Sequence, residues 1–499
     1  MSCINSLQRI SLFIKFAFIG CIQLTVLKAQ NNQVFFTGDN TDETEFNRIS
    51  KSAIRATRDL ENLPSAFSLK QYAPVPGNQG KHGTCVAWST AYGARTISYC
   101  LQRRITDQEQ IKASAFSPNY LYYYIKMNGD TNCIKGAKIE PALKVLTDKG
   151  NTLLKENIPD CIGSMDVASD QKAKDYIIKA YTSLTNTFGR ITKNELITIK
   201  KSIAENKPVI FSVKCYKSLT KTGKDGIWNI EPNDEFIGNH AICIVGYDDN
   251  KLDGAFEVMN SWGTEWGNNG FFWITYEQIK QYGSYALEMM DREVYDPKAS
   301  RGLNPPRIKG SLDFVLTNDF GNETGTMPVL RTKIDEGAAV VSDDNKAVFS
   351  SYQLTDNYQA GQRFKIKFTT NAPAFVYIFS IDDKQVVSTL FPYADNVSAA
   401  INSTDATIYL PSETKNYKLN DDANRDRICV LYSKTPLDFD LLKSKVSAAP
   451  SGFYEAIRTL YKSRIIPIKN VDFSNNQISF SSLAAEQELV CLFIDLNRK

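Results

Sequence analysis

The stretch from Asn78 to Trp88, Asn-Gln-Gly-Lys-His-Gly-Thr-Cys-Val-Ala-Trp, constrains the fold of this chain more than any other. Gln79 stands six residues ahead of Cys85, glycines turn the chain between them, and Ala87, Ala91, Ala94 and Ile97 then suit a buried central helix running to about Arg104. A thiol at the N-terminus of a helix feels the positive end of the helix dipole and unpaired N–H groups, both of which favour the thiolate. Thr84 is the expected N-cap, and Gly80 and Gly83 permit a turn tight enough to aim the Cys85 N–H at a bound carbonyl. With the Gln79 side-chain amide as a second donor, the stretch reads as a nucleophile beside an oxyanion hole.

The pattern changes in the second part of the first 300 residues. Pro208 to Tyr216, Ala241 to Tyr247 and Ala255 to Met259 are short, β-branched and aromatic, and Asp253-Gly254 supplies a hairpin turn. His240 precedes one of these strands and Asn260 follows the next, so an antiparallel hairpin brings them together. An isolated thiol with a pKa near ~8.5 is only roughly 3% ionised at pH 7. It needs a base, and the base needs a third group to hold its ring in one tautomer. His240 and Asn260 fit those two roles; the second histidine of the chain, His82, reads as a loop residue.

These segments resemble the papain-like (C1) cysteine peptidases, whose first motif is Gln-Gly-x-Cys-Gly-Ser-Cys-Trp. Here it reads Gln79-Gly80-Lys81-His82-Gly83-Thr84-Cys85-Val86, with His82 in place of a family cysteine, Thr84 for Ser and Val86 for Trp. No catalytic group is lost. The second motif, Asn-Ser-Trp-Gly-x-x-Trp-Gly-x-x-Gly, is met from Asn260 to Gly270. The resemblance implies a two-lobed α+β fold, a helical lobe followed by a β lobe with the site in the cleft between them. It also implies catalytic roles for Cys85, His240, Asn260 and Gln79, a Trp262 that covers the His–Asn contact, and a disulfide involving Cys133, here with Cys161 because His82 occupies the usual partner's place.

Residues 1–29 carry Arg9 and Lys15, an apolar run from Phe16 to Leu27 and Lys28-Ala29-Gln30, the pattern of a signal peptide cleaved after Ala29. The run is too short to span a membrane. A rival reading anchors the protein through a lipidated Cys21, but Phe18 fits that signal poorly. The whole chain has 58 Lys and Arg against 55 Asp and Glu. Removing residues 1–29 takes away three bases and no acid, so the remainder is balanced, which argues against nucleic acid as a partner. Residues 30–62 read as a linker or short leader. They are too few for the long helical inhibitory propeptide usual in the family, so any latency is expected to come from elsewhere. Without a CxxC pair, and with two histidines, neither a metal site nor a cofactor is expected.

The peptidase-like region spans 63–295, a Pro/Gly-containing linker 296–311, and a mainly β domain 312–499. In the last, Phe364, Ile366 and Phe368 alternate with Arg363, Lys365 and Lys367, predicting one buried and one wet face; the charges from Asp421 to Arg427 read as a solvated loop. Tyr358 to Leu437 resembles a β-rich accessory domain of unknown function found on exported and signalling bacterial proteins. The reading is a secreted or periplasmic cysteine peptidase acting on protein or peptide substrates through a Cys-His-Asn triad and a thioester acyl-enzyme. Its C-terminal module is expected to localise, dock or stabilise it. Two alternatives keep the same scaffold: an amidase or acyltransferase using the triad, and an inactive binding or adhesion protein.

Overall fold

Small side chains let one helix run through the middle of the first domain. In the computed structural model, which describes residues 35–292, 307–332, 349–419, 425–448, 453–483 and 487–497, this helix has three consecutive segments. Cys85–Ala87 is α-helical, Trp88–Arg95 π-helical and Thr96–Gln102 α-helical. Ala87, Ala91 and Ala94 are buried, and a Cβ on Gly93 would lie 3.0 Å from the Cβ of Cys243. The helix backbone thus packs directly against a strand. Helices Gln108–Ser114, Pro118–Ile125 and Ile139–Asp148 complete this half. The tyrosine run on the second of them is packing rather than a substrate wall: Tyr120 and Tyr122 are buried, and the Tyr122 hydroxyl donates to Asp130 at 2.7 Å.

The other half is an antiparallel sheet of β1 (Ala66–Ser68), β2 (Ala180–Ser183), β3 (Val209–Tyr216), β4 (Phe236–Asp248), β5 (Ala255–Met259), β6 (Phe271–Thr275) and β7 (Gly283–Met290). Their order is β2-β7-β3-β4-β5-β6, with β1 on β4. The register puts Tyr285 of β7, Ser212 of β3 and Ala241 of β4 in one row. Leu252, Asp253 and Gly254 take left-handed backbone angles in the turn that joins β4 to β5. The two halves share one core.

The C-terminal domain packs two sheets face to face. Ile366 and Phe368 of strand Arg363–Thr370 meet Val376 and Ile378 of Ala374–Asp382, and helices Phe439–Ala448 and Phe453–Tyr461 cover the outer side of the second sheet. The domain begins earlier than expected, at Arg307, because Arg307–Thr317 pairs along its length with 363–370 and 478–483. Lys365, expected to face water, is buried; its ammonium donates to the carbonyls of Gly321 and Glu413, whose loops fold over that face. Nor is Asp421 to Arg427 a loop throughout: Arg425–Ser433 is a strand whose Arg427 pairs with Asp495 at 2.6 Å. The expected signal peptide, Cys21 and most of the 296–311 linker lie outside the described residues. Among the described residues no helix is long and apolar enough to cross a membrane.

Residues 35–61 are packed against both domains rather than hanging free. Lys51 N–H donates to Asn396 O at 2.7 Å and Ser398 N–H to Lys51 O at 2.9 Å, while Ser52 N–H donates to Ser183 O at 2.8 Å on β2. Further on, Ala56 N–H donates to Thr407 O at 2.9 Å and Thr407 N–H to the Asp59 carboxylate at 2.6 Å. Glu205 sits where strap and domains meet, accepting from Arg55 at 3.1 Å and from Ser403 at 2.7 Å. Burial alone would raise its carboxyl, but Lys207 and Arg55 hold it down to about 2.

The central helix is anchored to the end of β7 by a buried ion pair. Arg95 bonds Asp291, with the Phe116 ring 4.6 Å below the guanidinium. Asp291→Asn leaves that cation uncompensated, so a loss of about 3 kcal/mol is expected, read as a lower urea midpoint for the peptidase domain with unchanged slope.

Candidate active site

Cys85 opens the central helix, fully buried, and its sulfur is within hydrogen-bonding range of the backbone N–H of Ala241, the residue after His240. His240 Nε2 lies 2.8 Å from Asn260 Oδ1. That oxygen also accepts from Ser261 N–H at 2.8 Å, which fixes the amide, so the imidazole must be the donor and carries its proton on Nε2. Nδ1 is left without a hydrogen-bond partner among the described residues, a bare lone pair on the ring whose neighbour along the chain touches the thiol. Trp262 stacks on the imidazole with centroids 4.8 Å apart.

Gln79 is held by Ser261, a residue the sequence reading did not single out although it lies inside the Asn-Ser-Trp motif. Ser261 Oγ donates to Gln79 Oε1 at 2.6 Å, which turns Nε2 toward Phe36 O at 3.1 Å and His82 O at 2.7 Å. The amide therefore already grips a peptide carbonyl. Gly80 supplies the left-handed turn, with φ +62°. Thr84 does not cap the helix through its side chain: its backbone is not extended, and the hydroxyl makes no cap bond.

The carbonyl that Gln79 holds belongs to the N-terminal segment, which crosses the site in extended form. Phe36 O also accepts from Trp262 Nε1 at 3.3 Å, and Gly38 and Asp39 N–H donate to Asn239 O at 3.3 and 3.2 Å. Ala137 N–H donates to Gly38 O at 2.8 Å, and Asn40 N–H donates to Ala137 O at 2.9 Å. Gly38 is there because nothing larger fits: a Cβ would lie 2.2 Å from Gly83 O. Among the described residues, 35–62 build no long inhibitory helix, as expected, yet any latency need not come from elsewhere, since an extended stretch of that segment lies against Gln79 and Trp262.

Covering the site changes its electrostatics. Burial pushes the Cys85 thiol up to about 12; the N–H groups of Ala241, Val86 and Gly38 pull the other way, and the Asp39 carboxylate adds to the rise. Burial likewise pushes His240 down to about 4, against the bond to Asn260. In the covered state burial thus opposes the thiolate that the helix end favours. A helix end contributes about 0.3–1 kcal/mol, whereas a rise of three units corresponds to about 4 kcal/mol, so desolvation wins.

His82 is a half-buried loop residue and Cys243 a buried packing thiol. Cys133 and Cys161 form the disulfide that the family resemblance implied; Cys100, Cys215, Cys429 and Cys491 are buried thiols. Among the described residues no group of three His, Cys, Asp or Glu side chains is placed to hold a metal ion.

The family described as papain family cysteine protease matches residues 64–290, and a domain of unknown function, DUF4384, matches residues 357–436. An uncharacterized peptidase C1-like protein of Acanthamoeba polyphaga mimivirus is 27% identical over 254 residues, 47% of this chain and 76% of its own. Cathepsin L of Sarcophaga peregrina is 25% identical over 226 residues, 44% of this chain and 61% of its own. The chain thus spans about three fifths to three quarters of these relatives. Xylellain, a cysteine protease from Xylella fastidiosa, aligns at 23% identity with a TM-score of 0.42, covering 54% of this chain and 100% of that one. Residues 64–290 thus match the papain family of cysteine proteases, and a match to the DUF4384 domain follows.

Proposed function

We propose that this protein is an exported cysteine peptidase held latent by its own N-terminal segment. The observation that carries the reading is the imidazole of His240, held by Asn260 in the tautomer that leaves Nδ1 without a hydrogen-bond partner among the described residues, in a buried site that also holds the helix-end thiol of Cys85. In the open site the Cys85 thiol gives its proton to Nδ1 and the sulfur attacks a peptide carbonyl. Gln79 Nε2 and the Cys85 N–H hold the oxygen as it becomes anionic, and His240 then protonates the leaving amine. Water, activated by the same imidazole, hydrolyses the thioester. Export is supported by the N-terminal pattern of residues 1–29 and by the Cys133–Cys161 bridge, which suits an oxidising compartment. The C-terminal domain supplies the far side of the grip on residues 51–59.

The test is labelling by a papain-type epoxide at pH 4–5, where the segment is expected to loosen. One equivalent bound at Cys85, absent from Cys85→Ala, is the expected result. A thiol that is accessible yet reacts only like an ordinary cysteine would instead favour an inactive binding scaffold.

A further inference from the structure

Asp39 is a carboxylate with almost no exposure, and the groups that satisfy it come from the enzyme's sheet. Its Oδ2 accepts from Ser212 Oγ at 2.5 Å and from the Tyr285 hydroxyl at 2.6 Å; Oδ1 accepts from Thr41 N–H at 3.0 Å within the segment. Ser212 and Tyr285 are direct cross-strand neighbours on β3 and β7, and Ala241, whose N–H touches the Cys85 sulfur, continues the same row on β4. The recess they form therefore lies beside the nucleophile. Asp39 reaches it from the residue next to Gly38, whose N–H donates to the carbonyl of Asn239, the residue before His240, at 3.3 Å.

Both hydroxyls are buried, and among the described residues the acceptors they serve, the Asp39 carboxylate and Thr41 Oγ at 3.1 Å from the Tyr285 oxygen, lie on the N-terminal segment. Once the segment leaves, two buried donors lose those acceptors, which is costly unless a ligand replaces them. Among the described residues no Lys, Arg or His forms an ion pair with Asp39. Recognition thus rests on two neutral O–H donors converging on one oxygen, the Oδ2 of Asp39. Asn could offer its carbonyl to the hydroxyls but would turn an amino group toward the place where Oδ1 accepts an N–H.

Resting on the peptidase reading above, we infer that Ser212 and Tyr285 form a specificity pocket for an aspartate side chain in the substrate, within two residues of the bond that is cut. The segment occupies that pocket with Asp39.

The experiment uses the full chain with Gly38→Ala, which unseats the segment, at pH 5. Epoxide labelling of Cys85 is checked first, and a proteome-derived peptide library is then cleaved and its new termini sequenced. Asp is expected at one fixed position within two residues of the cut, enriched about fivefold or more over its library frequency, with Asn enriched less. Adding Ser212→Ala or Tyr285→Phe should lower kcat/KM for an Asp-bearing peptide about 10- to 100-fold, the weight of a hydrogen bond to a charged group. The loss for peptides cut without Asp should be smaller, so the preference for Asp falls. An enzyme that labels and cleaves without preferring Asp, or whose preference survives both substitutions, overturns the pocket and leaves the peptidase reading standing. Failure to label and to cleave overturns both.

Discussion

Replacing Cys85 by Ala is expected to lower peptide hydrolysis by the opened enzyme on the order of 10⁴-fold or more, and His240→Ala by a similar factor. In the proposed mechanism the two act as one unit, since the sulfur attacks only after the imidazole has taken its proton. The double variant should therefore be no worse than either single one. Asn260→Ala is a different case. It removes the acceptor that holds the Nε2–H tautomer, so the ring can turn or shift its proton, and a smaller loss of about 10²-fold is expected, of the size that misplacement produces. Steady-state kinetics on one peptide, with active sites counted by the epoxide in the wild type, checks all four proteins. A Cys85→Ala protein that keeps a tenth of the activity would remove the sulfur from the mechanism.

The second large effect concerns the cover. His240 titrates near 4 while the cleft is sealed and returns toward the ordinary imidazole value of ~6.5 once it is hydrated. The released state therefore binds the extra proton, and acid favours release. The gain starts as pH falls through about 6.5 and is complete near pH 4, where it amounts to about 3 kcal/mol, on the order of 10²-fold in the open-to-closed ratio. The sealed thiol stays neutral over this window, because its value is displaced upward to about 12. Lys51, which burial lowers to about 8 against the pull of Glu195, stays protonated over the same range. Glu205, held down to about 2, keeps the strap tied to both domains while the part over the cleft lets go. Gly38→Ala should do at neutral pH what acid does in the wild type: its methyl group would meet the Gly83 backbone, and overpacking of that kind costs about 2 kcal/mol. Hydrogen exchange at residues 36–40, measured in the Cys85→Ala background to prevent self-cleavage, reads both effects. Equal protection at pH 7 and pH 4.5, with and without the methyl group, would show that the segment is not a cover.

Much of the candidate site could be read directly from local order. Gln79, Gly80, Cys85, His240 and Asn260 lie in short motifs whose geometry is set by turns and by one hairpin, so the roles proposed for them rest on neighbours a few residues away. The helical half and the β half were legible for the same reason, as a change of hydrophobic period. Local order also misled. Lys365 sits at an alternating position that predicts water, yet two loops from elsewhere in the chain enclose it and supply its carbonyls. Thr84 occupies the N-cap position, but its backbone angles deny the hydroxyl its bond.

The order of residues limits which side chains could carry the chemistry, because a nucleophile, its base and the base's support are chemical types within short motifs. Their electrostatic surroundings, and what stands in front of them, come from the folded chain. Phe36, Gly38 and Asp39 lie in a polar stretch without a periodic pattern; Gly38 and Asp39 act on Cys85 directly, but the largest effect on its thiol is burial. Exclusion of water depends on which distant surfaces meet, and no run of neighbouring residues encodes it.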